Sequence, residues 1–160
     1  MAQEPQRFVR ETQVITTQLV LPNDTNQLGN LLGGTLMHWI DITAAIAAQR
    51  ATGRVCVTAS VDELNFILPI HLGDVVTLQA SVNRVFTSSM EVGVLVTSAH
   101  RLSTAPQRAN NAYLTFVCVD DAGHPMAAPH VIPETSDEQR RYSEALTRRE
   151  LRLQHRRSQG

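Results

Sequence analysis

Apolar and polar residues alternate with a period of two along several stretches of this chain, and in one place the alternation gives way to a nearly unbroken apolar run. Val14 to Leu21 (VITTQLVL) is rich in β-branched residues and ends at Pro22, which predicts a first strand. Pro22 to Gly34 is dense in Asn, Asp, Gly and Thr and reads as a loop. Thr35 to Ala51 (TLMHWIDITAAIAAQRA) holds no Gly or Pro and is apolar on nearly every side. That pattern predicts a helix wrapped by the rest of the fold, with Gly53 as its stop. Beyond it the period returns to two. Val55–Val61 is one strand, and Val76, Leu78, Ala80 and Val82 alternate with Thr77, Gln79, Ser81 and Asn83 in Val75–Phe86. Met90, Val92, Val94 and Val96 continue the period, and Asn111–Val119 makes a further strand. Leu72-Gly73-Asp74, Thr87-Ser88-Ser89 and Thr104-Ala105-Pro106 mark the turns.

These elements predict an α+β domain: an antiparallel β-sheet wrapped around one long central helix. Residues 1–13 read as an N-terminal extension, 14–135 as a single domain and 136–160 as an Arg-rich C-terminal helix. Ser136 with Gln139 is expected to form a capping box there, with Asp137 and Glu138 at the positive end of the helix. Its few apolar residues predict weak anchoring.

Composition narrows the class. A chain of 160 residues with 42% apolar and 18% charged residues is a one-domain globular composition. A net charge of −1 argues against a chain-wide field for nucleic acid or a membrane surface. The polar N-terminus lacks a secretory apolar core, and the run around Leu36–Ala48 is too short to span a bilayer, so a cytoplasmic location is expected. Cys56 and Cys118 sit in apolar runs without CxxC spacing and read as buried free thiols. All fourteen basic residues are arginine, and half of them lie between Arg140 and Arg157.

Asp41 is the outlier, a carboxylate between Ile40 and Ile42 in the apolar helix. Burial would raise its pKa toward the range of a general base, or it could be a structural carboxylate that caps an amide or pairs with an arginine. Gly33-Gly34 stands about two turns ahead, where unpaired helix N–H groups could hold an oxygen gaining negative charge, or where the chain simply turns tightly. Asn26 and Asn30 could add an amide donor or act only as turn formers. His38, one turn before Asp41, could pair with it. The six histidines are scattered without ligand spacing, so no metal and no cofactor is expected. No G-x-S-x-G elbow or glycine-rich phosphate loop is present. Arg148, Arg149 and Arg152 read either as a solvated helix face or as a phosphate clamp.

The spacing Asn26-x-x-Gly29-x-x-x-Gly33-Gly34, followed by Asp41, resembles the opening motif of hotdog-fold acyl-CoA thioesterases. The likeness continues through VCVTASVDELNF (55–66), Gly73-Asp74, FTSSMEV (86–92), LTFV (114–117) and VIPETSDE, covering roughly residues 14 to 155. It is closest to the cytosolic acyl-CoA hydrolase branch, whose members often carry two hotdog units per chain. The resemblance implies hydrolysis of an acyl-CoA thioester, with Asp41 as base or nucleophile. The Gly34 N–H and Asn26 of a facing protomer would polarise the carbonyl. It places coenzyme A along Gly33, Ala59-Ser60-Val61 and Ser88-Ser89-Met90, with Arg148 and Arg149 at its phosphates. It further implies a homo-oligomer, hotdog dimers assembled as a hexamer. The alternatives are a non-catalytic acyl-CoA sensor on the same fold and an acyl-CoA dehydratase. The first normally carries an added DNA-binding segment, and none precedes Val14; the second uses a His–acid pair that is not found here.

Overall fold

The computed structural model describes residues 5–62, 64–101, 103 and 105–160, so the turn expected at Thr104-Ala105-Pro106 falls partly outside them. Five strands form one antiparallel sheet: β2 (Val14–Leu19), β3 (Cys56–Val61), β4 (Val75–Val85), β5 (Ser89–Ala99) and β6 (Gln107–Cys118), in the spatial order β2-β4-β5-β6-β3. Two short strands, β1 (Arg7–Phe8) and β7 (Val131–Ile132), pair in parallel. Helix α1 (Gly33–Thr52) lies on the sheet, and α2 (Ser136–Gln159) closes the chain.

The period-two pattern decides what faces α1. Val76, Leu78, Ala80 and Val82 of β4, with Val92, Val94 and Val96 of β5, bury their side chains against Leu36, Ile40, Ala44, Ala47 and Ala48. Alanines at the last three positions let the helix sit close, and each large side chain sealed there contributes about 1.5–3 kcal/mol. Gly53, at φ 66°, ends α1 in the left-handed region, as the sequence predicts.

Four expectations change. The helix is not enclosed on every side: His38, Ile42 and Gln49 remain exposed along one stripe of α1. The end of the segment read as an extension is packed, because Val9 and Thr12 are buried and the Thr12 hydroxyl accepts the Val82 N–H at 3.0 Å. The cap of α2 is Thr135, which accepts from Glu138 N at 3.1 Å while the Glu138 carboxylate reaches back to Thr135 N at 3.2 Å. The expected Ser136–Gln139 box is therefore offset by one residue.

The fourth change concerns the anchoring of α2. Glu91 is on the face of β5 opposite the core, yet it is fully buried, because α2 covers it. Arg148 grips it through Nε and Nη2, the latter at 2.7 Å, and Arg152 adds a contact at 3.2 Å. Asn83, expected to face outward, turns under α2 at a bulge in β4 and donates to Glu91 at 3.0 Å. Ion pairs replace the apolar contacts that α2 lacks.

Candidate active site

Asp41 is about two turns into α1, half-buried rather than enclosed. Its Oδ1 accepts a hydrogen bond from Thr58 Oγ1 at 2.6 Å, a short charge-assisted contact that fixes the carboxylate and leaves Oδ2 available. Thr58 belongs to β3, an edge strand of the sheet, immediately before a bulge at Ala59 where the register with β6 shifts. Sequence reasoning missed Thr58. Its only signal was a hydroxyl residue beside the Ala59–Val61 stretch, and nothing in the spacing says that β3 crosses α1 at Asp41. His38 is exposed and is not the partner of Asp41.

The start of α1 is built for an approaching group. The N-cap is Leu32, whose side chain makes no cap hydrogen bond, so the first-turn N–H groups are not capped by it. A Cβ at Gly33 would meet the Phe66 ring at 3.1 Å, whereas a Cβ at Gly34 would meet nothing within 4 Å. Gly33 is thus closely packed against the Phe66 ring, and the space beside the Gly34 Cα is open.

Asn26 heads the loop in front of the helix. Its Oδ1 accepts from Leu28 N at 2.9 Å and Asn30 N at 3.1 Å, which consumes the carbonyl side of the amide and identifies Nδ2 as the outward donor. Gly29, at φ 74°, permits the turn that brings these N–H groups round. Among the described contacts the Asn26 side chain bonds within its own loop and Asp41 bonds to Thr58, with no hydrogen bond joining the two.

The residues expected along coenzyme A divide. Ala59, Ser60, Ser89 and Arg149 line one groove of about 140 Å³, joined by Arg152 and Arg156. Arg149 sits 4.3 Å above the Phe86 ring and donates to Ser89 Oγ at 3.2 Å. Ser60 Oγ and Thr115 Oγ1, opposite each other across β3 and β6, are buried there without a hydrogen-bond partner among the described residues. Val61 and Ser88 are half-buried beside the groove strands, but Met90 has no exposed surface and belongs to the core. The Arg148 guanidinium is engaged by Glu91 rather than turned into the groove. Burial works against its charge, but the Glu91 contacts outweigh this and hold its pKa above the ordinary arginine value. Among the described residues no helix is long and apolar enough to cross a membrane, and no cluster of three or more His, Cys, Asp or Glu could hold a metal ion.

A long helix embraced by a five-stranded antiparallel sheet, with a carboxylate behind an uncapped glycine start, defines a hotdog thioesterase scaffold. The thioesterase superfamily model matches residues 28–105. An uncharacterized acyl-CoA thioester hydrolase of Bacillus subtilis is 42% identical over 89% of this chain and 83% of its own. Mouse acyl-coenzyme A thioesterase 11 is 41% identical over 94% of the chain, which spans only 25% of that longer protein. Among solved structures, the acyl-CoA hydrolase of Staphylococcus aureus, in complex with butyryl coenzyme A, coenzyme A and coenzyme A disulfide, superposes with a TM-score of 0.90 at 38% identity, covering 97% of this chain and 94% of that one. Single alanine variants of that hydrolase at an aspartate, a threonine and an asparagine have also been solved. An apo-hexameric acyl-CoA thioesterase matches at a TM-score of 0.90 and 37% identity, over 94% of this chain and 96% of its own. The chain belongs to the thioesterase superfamily, among its hotdog-fold acyl-CoA hydrolases.

Proposed function

We propose that this protein hydrolyses an acyl-CoA thioester to a carboxylic acid and coenzyme A, with Asp41 as the base or nucleophile. The observation that carries the reading is the Thr58–Asp41 hydrogen bond below the open start of α1. Water adds to the thioester carbon as Oδ2 of Asp41 takes its proton; the alternative route is direct attack by the carboxylate. The carbonyl oxygen gains negative charge and is held by the Gly34 N–H and by Nδ2 of Asn26 from a facing protomer. Preorganised donors of this kind are each worth on the order of 100-fold or more in rate. Collapse breaks the C–S bond, and the thiolate leaving group takes up the proton. A thioester is already electrophilic, so an oriented water, a base and an oxyanion site suffice.

Thr58 acts as a positioning residue, since it touches the carboxylate and not the thioester. The three residue types replaced by alanine in the Staphylococcus aureus hydrolase are those of Asp41, Thr58 and Asn26. Coenzyme A is assigned to the Ala59–Ser60–Ser89 groove, with Arg149 toward its phosphates. A dimer is the active unit in this reading, with Asn26 supplied by the facing protomer, and the hexameric relative supports three such dimers as the assembly.

The test is thiol release from a panel of short, long and aromatic acyl-CoAs. Asp41→Ala is expected to lose at least 100-fold in kcat with the oligomer intact. A fully active variant would sink the mechanism. Tight acyl-CoA binding without thiol release by the wild type would favour a sensor instead.

A further inference from the structure

The loop that carries Asn26 is held from behind by a chain of side-chain contacts that the reaction does not use. Asn30 N donates to Asn26 Oδ1 at 3.1 Å, and Asn26 N donates to Asn30 O at 2.8 Å. The side chain of Asn30 turns the other way, where its Oδ1 is 2.8 Å from His71 Nδ1 and accepts from it in the tautomer protonated there. His71 is itself fixed, because its backbone N–H donates to Oδ2 of Asp74 at 2.9 Å. Asp74 is buried, and its other oxygen is 2.7 Å from His100 Nδ1. Two backbone bonds flank this tie: Leu31 N to Ile70 O at 2.7 Å and Leu72 N to Gly29 O at 2.9 Å.

The flanking bonds hold both peptides beside Asn30, since the Gly29 carbonyl and the Asn30 N–H share one peptide plane, and the His71 contact holds the Asn30 side chain, bracing the Gly29–Asn30 peptide from a further side. That peptide's N–H is one of the two donors that fix the direction of the Asn26 amide. From this geometry we infer that His71, through Asn30, is a positioning residue for Asn26: it sets the aim of the amide that polarises the thioester carbonyl. The inference rests on the function proposed above. His71 is exposed, so its bond to Asn30 adds little to global stability. Its effect is local, and small misplacement of a donor costs much in rate.

The experiment is a double-mutant cycle on the intact oligomer, with kcat, KM and melting temperature read together. His71→Ala is expected to lower kcat on the order of tenfold, with KM within about twofold and an unchanged melting curve. His71→Asn, whose amide nitrogen replaces Nδ1, is expected to restore most of the loss. Asn30→Ala removes the same bond from the other side and is expected to match His71→Ala, which keeps the test alive should either variant fold poorly. Once Asn26 is already alanine, the His71→Ala change is expected to cost nothing further. Full activity in both His71→Ala and Asn30→Ala, or losses that add to that of Asn26→Ala, would overturn the relay while leaving the site intact. A fully active Asn26→Ala would instead overturn the site's own reading, and the relay with it.

Discussion

Asp41 and Thr58 illustrate how a single contact changes the meaning of a residue. A carboxylate in an apolar helix invites an argument from burial, yet in one chain Asp41 keeps part of its surface and its definition comes from a hydroxyl on β3. The opposite case is Cys56, which looks like any small residue in a strand. Burial pushes its thiol up to about 11 from an ordinary 9.0, with Thr52 pulling slightly the other way and Cys118 beside it. Above pH 9 the unfolded chain loses this proton while the native chain keeps it, so the native state binds more protons and stability falls as pH rises from 9 toward 11. Denaturant midpoints measured from pH 8 to 10.5 should drop, and should drop less in Cys56→Ala. An equal drop in both would remove Cys56 as the cause. The same shift implies little thiolate at neutral pH, so Cys56 should not react with the disulfide reagent that reports coenzyme A release.

At the scale of elements, α2 shows why pattern reading succeeded for the sheet and fell short for the helix that covers it. The alternation of Val76, Leu78, Ala80 and Val82 is a direct record of which face is buried, because that face meets one apolar partner, α1. The other face of the sheet is covered by charged residues, and period-two hydrophobicity is blind to a buried Glu91. The arginine-rich stretch looked like solvent-facing helix or phosphate clamp, and it proves to be both anchor and groove wall. Arg148 faces Glu91, and Arg149, one residue on and about 100° round the helix, faces Ser89. The two should separate in experiment. Arg148→Ala leaves Glu91 buried with Arg152 as its remaining cation, and is expected to cost ~3 kcal/mol of stability. Arg149→Ala should raise KM for acyl-CoA and leave kcat and stability nearly unchanged, because only uniform binding is lost. Denaturation and steady-state kinetics on both variants check this; a raised KM from Arg148→Ala alone, with unaltered stability, would reverse the assignment.

The whole molecule carries information that one chain's pattern only half expresses. The stripe of His38, Ile42 and Gln49 on α1 and the exposed Val55 and Val57 at the β3 end of the sheet lie in stretches that were legible as mostly apolar sequence, but not as surface. An edge strand with exposed valines beside an open helix face is what a second copy would cover. The same arrangement fits a site shared between copies: Asp41 and Thr58 are paired within the chain, while Asn26 uses Oδ1 within its own loop and turns Nδ2 outward. If each site takes Asp41 from one protomer and Asn26 from its partner, two inactive variants should repair each other. In a heterodimer of Asp41→Ala with Asn26→Ala, one site carries both changes and the other carries neither. Free exchange makes half the dimers mixed, and half of the sites in those are intact, so activity should recover to about a quarter of the wild type. Mixing the two proteins under conditions that let subunits exchange, then measuring thiol release, tests this directly. Recovery is expected to grow with exchange time and to plateau. A mixture that stays inactive after exchange is verified by mass would place Asp41 and Asn26 in the same chain's site.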